Sequence, residues 1–525
     1  MLCRFCFFDP RGCPRLLPLS APMLALETAP ALRLPPIPVE TVARPACPGP
    51  ARGETAGQGR VTICLDARGQ VRQVQLHLLD LCGVETLLEG RAIAEIPEAV
   101  QRLCGLCPVS HHLAAVKAMD RIAGYDRLTP TAEKLRRLMQ YGQIVQSHAV
   151  QLYHLAEPDL LLGFDSEPAR RGLVDVARAF PQLATEGVLM RRFGQEVVRA
   201  ITGGRLRGAG AVPGGMRRPL PRAARDQLRA DVDQVIDWAA GALRVLERLH
   251  GTNPAFYDHP AETGGNLLAL VGASGAVDFY DGRLRARDSR GATLFDAVPA
   301  AAYRGVLAEP SGPGGPHLRA LGPETGWYRV GPLARLQVCD LLTSEKAETE
   351  RQRLLAPGDG KPLQGSVFHH GARLVELLHA AELIRDLLDD PELLGTDLMA
   401  DRGAPQREAV GVIEAPRGTL LQRYEVDEAG RIRRCTLLLS TRNNSRAMDA
   451  ALQGVAAQYC DGRRVTEDLL AHIEVAIRAF DPCLSCAAHA LGQMPLSVEL
   501  IDAGGAVVSG LRRGADGGVS CCVRS

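Results

Sequence analysis

Two C-x-x-C cysteine pairs, each followed by a histidine, stand near opposite ends of the folded part of this 525-residue chain. The first runs Cys104-Gly-Leu-Cys107-Pro-Val-Ser-His111, and the second Cys483-Leu-Ser-Cys486-Ala-Ala-His489. A fold that joins them must bring its two ends together. The chain has 15 cysteines, and composition alone predicts about 0.4 such pairs. Three occur (Cys3/Cys6 is the other), and two carry a histidine at similar distance, so chance does not explain them. A two-residue gap lets both sulfurs of a pair face one centre, and four thiolates enclose one soft metal or bridge two. A four-cysteine zinc site uses the same spacings, so spacing alone leaves both open. Redox C-x-x-C chemistry fits less well, because neither pair sits in a βαβ context.

Without a signal peptide, a large cysteine-rich chain does not suggest a disulfide framework. Most of the other cysteines, Cys64, Cys339 and Cys435 among them, read as buried inert thiols. Charge is balanced, 61 basic against 60 acidic side chains, so nothing points to nucleic acid or an anionic membrane surface. No stretch approaches the roughly 18–20 apolar residues of a membrane span. The apolar N-terminus is broken by prolines and arginines and lacks a cleavage site. These features predict a soluble, cytoplasmic protein. At this length two or three lobes are expected, and with aromatics at 4% their cores must be Leu, Val and Ala.

Residues 1–58, rich in Pro, Ala, Arg and Gly, read as a poorly ordered arm. Alternation of Val61, Ile63 and Leu65, a turn at Ala67–Gly69, then Val71, Val74 and Leu76 predict a β-hairpin. Helical spacing predicts helices over 92–104, 109–123, 131–156, 181–202, 222–250, 368–389 and 464–479. The Gly- and Pro-rich region 262–335 carries short strands, including one around an Asp281–Gly282 turn. Strands are expected at 409–413 and 432–440, with a hairpin in LSVELIDAGGAVVSGL near the end. The architecture is thus mainly α with smaller β regions (α+β).

The patterns R-x-C-G-x-C-x-x-x-H and D-P-C-x-x-C-x-x-H together resemble the paired signature of nickel–iron hydrogenase large subunits. VGVIEAPRGTL resembles the segment that brings an arginine to the metals, and LLLSTRNNSRAMD the one that supplies hydroxyl hydrogen bonds. QSHAVQLYHLAEPDLLLG, RRFGQEVVRAITGG, AVPGG, YRVGPLARLQVCD and HALGQMPL are most similar to the soluble, bidirectional, NAD-linked branch. The resemblance spans about residues 59–508. It implies a central helical bundle with peripheral β-hairpins, a catalytic domain over 59–489, and an extension over 490–525 that a maturation endopeptidase removes.

The resemblance implies reversible heterolytic cleavage of H2 into protons and electrons; a hydrogen-sensing or catalytically impaired relative is the alternative. Cys104 and Cys483 would be terminal nickel ligands. Cys107 and Cys486 would bridge nickel to an iron that holds carbon monoxide and cyanide. Arg417 would lie over the metals, oriented by Asp481, which otherwise caps a helix. Ser440 would donate to a cyanide, or be a satisfied strand hydroxyl. Glu85 and His489 would hold Mg2+ or a similar ion. His111 would lie near a bridging sulfur, while His112 and His148 are structural. The implied partners are an iron–sulfur small subunit, which carries the electrons away, and flavin- and iron–sulfur-containing diaphorase subunits linked to NAD(P). The chain departs from the family where Ala56 takes the place of a proton-accepting glutamate, with Glu54 two residues earlier. It also carries Ser147 where many relatives have aspartate, and it lacks a His-Pro before Val212-Pro-Gly-Gly.

Overall fold

The computed structural model describes residues 7–8, 14–15, 59–77, 83–162, 173–204, 210–252, 261, 263–309, 315–482, 496–514 and 518–521. Contacts divide the chain into Met1–Glu40 and Thr41–Ser525. Among its described residues the first unit has one antiparallel pairing, Phe7–Phe8 with Pro14–Arg15.

The second unit is built on helices that prolines and threonines start. α1 (Pro108–Ala123), α2 (Pro130–Val150) and α3 (Pro181–Thr202) all open with proline, where the missing N–H costs nothing and φ is already helical. Thr129 also caps α2, its hydroxyl accepting from the Ala132 N–H at 3.3 Å. α4 (Arg222–Thr252) and α5 (Phe368–Asp389) follow. α5 is buried nearly all round, as a helix at the middle of a bundle must be. α6 (Ser445–Tyr459) and α7 (Glu467–Phe480) form a separate pair, α7 capped by Thr466 on the Leu469 N–H at 3.2 Å. The main core lies among α1 to α5.

Among the described residues, three sheets of three or more strands flank the helices. β1 (Gly59–Leu65) and β2 (Val71–His77) form the expected hairpin. β3 (Asn266–Val271), β4 (Arg283–Arg287) and β5 (Thr293–Val298) form the second sheet, which a short parallel strand, Tyr328–Arg329, completes. β6 (Glu408–Ala415), β7 (Gly418–Val426) and β8 (Ile432–Leu438) are an antiparallel meander. β9 (Leu496–Ile501), β10 (Val507–Arg513) and β11 (Val519–Cys521) join β1 and β2 in one sheet, ordered β11-β10-β9-β1-β2. β9 runs parallel to β1, from Leu496 opposite Gly59 to Ile501 opposite Cys64. Leu496, Val498 and Leu500 are at most 1% exposed and share a core with Val61, Ile63, Leu469, Ile473 and Phe480. Burying three such side chains contributes about 1.5–3 kcal/mol each, so this segment is part of the fold.

Four expectations need correction. Residues 92–104 are not one helix: a 3-10 turn (Ile93–Glu95), one α turn (Ile96–Ala99) and another 3-10 turn (Val100–Leu103) follow each other. Pro97 cannot donate the hydrogen bond that a continuous helix needs there. The helix over 131–156 is α-helical to Val150 and π-helical over Gln151–Ala156, where Gln151 Nε2 donates to Arg478 O at 3.0 Å. Asp281–Gly282 is not a hairpin turn. Lys117 holds Asp281 at 3.1 Å, and the β4–β5 turn is at Asp288–Gly291. The strand over 432–440 stops at Leu438, and Ser440 opens a helical turn, Ser440–Asn443. β7 was not expected as a strand.

Candidate metal centre

Cys104 leaves the last 3-10 turn in an extended conformation, and Cys107 is the residue before α1. They are 2% and 5% exposed, and both are reduced thiols outside any disulfide. His111 lies in the first turn of α1, so one ligand atom from each of the three comes within 4.8 Å of the others. It is the only such His/Cys/Asp/Glu group among the described residues. The Cys107 N–H donates to Cys104 Sγ at 3.1 Å, and the positive end of α1 lies beneath; both favour thiolate over thiol.

Two glutamines of α2, one turn apart, fix this loop. Gln143 accepts from the Val109 N–H at 3.2 Å and donates to Leu106 O at 2.7 Å. Gln140 accepts from Ser110 Oγ at 3.0 Å and donates to Glu414 O at 2.6 Å. The second contact ties the cysteine loop to the end of β6.

There, Pro416 and Arg417 make the two-residue turn between β6 and β7. Gly418 closes it at φ 127°, and a Cβ would come 2.4 Å from Val330 Cγ2, so only glycine fits. Arg417 is 3% exposed. Its Nη1 lies 3.8 Å from Cys104 Sγ, Nε donates to Asp481 O at 2.6 Å, and Nη2 donates to Asp481 Oδ1 at 3.1 Å. Asp481 ends α7 in the left-handed region (φ 53°), a strained conformation for a residue with a Cβ. Burial pushes its carboxyl up, against the pull of Arg417 and Arg373.

The turn is in turn held by Arg335, which is 0% exposed. Arg335 grips Glu376 with Nε and Nη2, both at 2.6 Å, and Glu414 with Nη1 at 2.7 Å. Nη1 also donates to Ala415 O at 2.9 Å. Burial would raise Glu376, but the two-pronged Arg335 contact outweighs it and holds the carboxyl down at about 2. Glu414 meets Arg335 with one oxygen only, and for it burial wins and the carboxyl is pushed up. His148 Nε2 lies 2.9 Å from Glu376, and burial lowers its pKa to about 4. None of Arg335, Glu376, Glu414, Gln140 and Gln143 stood out in the sequence. Their one signal is polar side chains at helix and strand positions whose neighbours are apolar.

The other candidates lie as follows. Ser440 Oγ donates to Gly418 O at 2.7 Å, so its proton is used by the backbone beside Arg417. Glu85 does not join the cysteine cluster; its carboxylate faces Arg442 at 4.0 Å. His112 Nδ1 lies 2.8 Å from Pro97 O. Cys339 and Cys435 are buried, and burial pushes both thiols up, Cys435 to about 12. Cys483, Cys486, His489, Glu54 and Ala56 are outside the described residues.

A buried, reduced sulfur pair that accepts N–H bonds, with a guanidinium beside it, fits a soft, electron-accepting metal. A family model for nickel-dependent hydrogenases matches residues 82–161. The NAD-reducing hydrogenase HoxS subunit beta of Cupriavidus necator is 39% identical over 86% of this chain and 96% of its own. One subunit of the F420-non-reducing hydrogenase vhu of Methanococcus voltae is 37% identical over 76% of this chain and 95% of its own. Among solved structures, an NAD+-reducing [NiFe]-hydrogenase in the H2-reduced state superposes with a TM-score of 0.78 and 46% identity, over 82% of this chain and 96% of that one. The Ni-Fe-Se hydrogenase from D. vulgaris Hildenborough shares the fold at a TM-score of 0.62 and 21% identity, over 80% of this chain and 94% of that one.

Proposed function

This chain belongs to the nickel-dependent hydrogenase family, and from that premise we propose how its own residues serve the reversible heterolytic cleavage of H2. It is a large subunit with a nickel–iron centre, an oxidoreductase acting on hydrogen. The catalytic domain is 59–489. Cys104 and Cys483 would hold nickel, and Cys107 and Cys486 would hold both nickel and an iron that carries carbon monoxide and cyanide. Asp481, bonded to the arginine that touches Cys104, precedes Cys483 by two residues, a reach of at most about 7 Å. When bound, the centre supplies the redox-active Lewis acid that polarises the H–H bond.

The observation that carries the residue roles is Arg417 bridging Cys104 Sγ and Asp481. The Cys104 thiolate takes the proton, and Arg417 holds that sulfur by donating from Nη1 while Asp481 fixes the guanidinium at both Nε and Nη2. Ser440, which donates to Gly418 O beside the turn, would donate to a cyanide instead once the centre is loaded. Glu85 and His489 would hold a Mg2+-like ion. Matured protein should contain nickel and iron and show carbon monoxide and cyanide infrared bands; stoichiometric zinc without those bands would overturn the assignment. Arg417→Lys should keep both metals and lower turnover roughly 100-fold, the scale for losing a group positioned for the proton-transfer step. Turnover at the parent rate would leave Arg417 a structural role only.

The electrons leave through an iron–sulfur small subunit, a partner favoured by the likeness to a subunit of an NAD-reducing hydrogenase. The NAD-reducing relative favours flavin-containing diaphorase partners and NAD(P) as acceptor. No described helix is long and apolar enough to cross a membrane, in keeping with a cytoplasmic complex. An endopeptidase cuts between His489 and Ala490 after nickel is in place. Arg513 of β10 donates to the buried Glu474 of α7 at 2.6 Å, so cutting alone does not free the 490–525 extension; its strands must also be drawn out of the sheet. Intact-mass analysis of active enzyme should show a subunit ending at His489, and an active subunit that still carries Cys521 would contradict this.

A further inference from the structure

α5 carries a line of polar side chains through the protein's interior. Along most of its length each has a protein partner. Glu376 has Arg335 and His148, His379 Nδ1 lies 2.6 Å from Ser344 Oγ, and Glu382 accepts from the Ala347 N–H at 3.0 Å. The first turns differ. His369, His370 and Arg373 are at most 3% exposed. Yet, among the described residues, His369 Nδ1 and Nε2, His370 Nδ1, and Arg373 Nε and Nη1 find no hydrogen-bond partner. Buried polar atoms in native proteins are satisfied by ordered water when protein does not serve them.

The two ends of this group lead to defined places. Inward, the His369 ring packs on Phe480 at 4.9 Å. The next residue, Asp481, holds Arg417 beside Cys104. Outward, α5 lies antiparallel to α4. Arg229 of α4 donates to Asp389 at the far end of α5, at 2.7 Å. At the near end, Leu246 Cδ2 lies 3.5 Å from where a Gly371 Cβ would be. His250 is one turn beyond Leu246, which in this antiparallel register puts it level with Val367, one turn before His370, close enough for its charge to act on the His370 ring, and it is followed by the exposed Gly251. Neighbouring residues on a helix point about 100° apart, so His369 faces α7 while His370 faces α4. The pair thus links these two adjoining sides of the helix.

We propose that His369, His370 and His250, joined by water that Arg373 anchors, form the route by which protons pass between the metal centre and the surface at the end of α4. The proposal rests on the reading that H2 is cleaved beside Cys104. Each step is proton transfer alone. A ring accepts a proton on one nitrogen and releases another from its second, so one proton enters at His369 for each that leaves His250, and no electrons move. The charged groups that face the line are Arg373 and, from Tyr328–Arg329, Arg329, and Arg373 in turn faces Asp481, Arg417, Glu376 and Arg335. Burial first, then these cations, holds both rings of the pair well below the usual histidine range, and burial lowers His250 to about 4. Neutral rings pass a proton on and do not trap it.

The test uses the complete enzyme carrying His370→Gln or His250→Gln. Both should keep nickel, iron and the infrared bands. H2 oxidation should fall at least about 10-fold, with a larger solvent deuterium isotope effect, and added imidazole should restore the His250→Gln enzyme. In the metal-free full chain labelled with 15N-histidine, the ring N–H groups of His369 and His370 should exchange with bulk water, and His250→Gln should slow that exchange. Parent turnover and isotope effect in both variants, or ring protons that do not exchange with water, would overturn the proposal. A parent enzyme without nickel and iron would sink the hydrogenase reading, while the labelled metal-free chain would still decide whether the water-linked line exists. Because His250 lies at a helix end, its variant keeps the test open should His370→Gln fail to fold.

Discussion

Cys107→Ser should yield a folded subunit that holds neither nickel nor iron. The side chain at 107 is 5% exposed, and sulfur and oxygen differ little in size, so the loop that Gln143 clamps should form as before. A serine hydroxyl, however, does not ionise near neutral pH and is a hard, poor bridge between soft metals. With one bridge gone the two metals share too few ligands to be retained. Metal analysis should read near zero, the infrared bands should vanish and H2 uptake should fall below detection. Arg417→Lys, by contrast, should give a graded loss with metals in place. Full uptake by Cys107→Ser would remove Cys107 from the ligand set.

Arg335→Leu should cost the most stability of any single change away from the sulfurs. It strands Glu376 and Glu414, both 0% exposed, without their cation. Removing one partner of a buried ion pair costs about 3–5 kcal/mol, a large part of the usual 5–15 kcal/mol total. Arg335→Lys should recover part of that, since an ammonium supplies charge but not the two-pronged grip. Chemical denaturation of the metal-free chain reads both, and equal midpoints for parent and Arg335→Leu would contradict the account. Acid acts through the same contact. Glu376 is held down at about 2, below the roughly 4.3 of a free glutamate. Its stabilisation is thus complete above that value and is lost as pH falls toward 2.

The sequence made the local features legible. Alternating Val61, Ile63 and Leu65 and the proline-started helices over 109–123 and 181–202 announce themselves by period and punctuation, and the Cys104/Cys107 pair by spacing. Arg417 was legible only by resemblance, because an arginine in a turn ordinarily reads as solvated charge. The Arg335–Glu376–Glu414 cluster was not legible at all. Its three members come from a short helix, α5 and β6, and nothing local marks a charge whose partner arrives from a distant segment. The broken helix over 92–104 failed for a local reason, Pro97, whose effect on hydrogen bonding the apolar spacing hides. The line of His369, His370 and His250 likewise emerges only when α4 is laid against α5.

The parallel pairing of β9 with β1 sets an order of events during synthesis. β1 can pair with β2 as soon as both have left the ribosome, but its other edge has no partner until residues 496–501 are made. At roughly 5–20 residues per second that edge waits on the order of a minute, bare and able to pair with another chain. β9 and β1 pack on α7, and α7 ends at Asp481, which fixes Arg417 beside Cys104. Residues 496–501 thus complete the sheet that packs on α7, the helix whose end holds the arginine over the first cysteine pair, so the precursor gains that support only after residues 59–495 have been made.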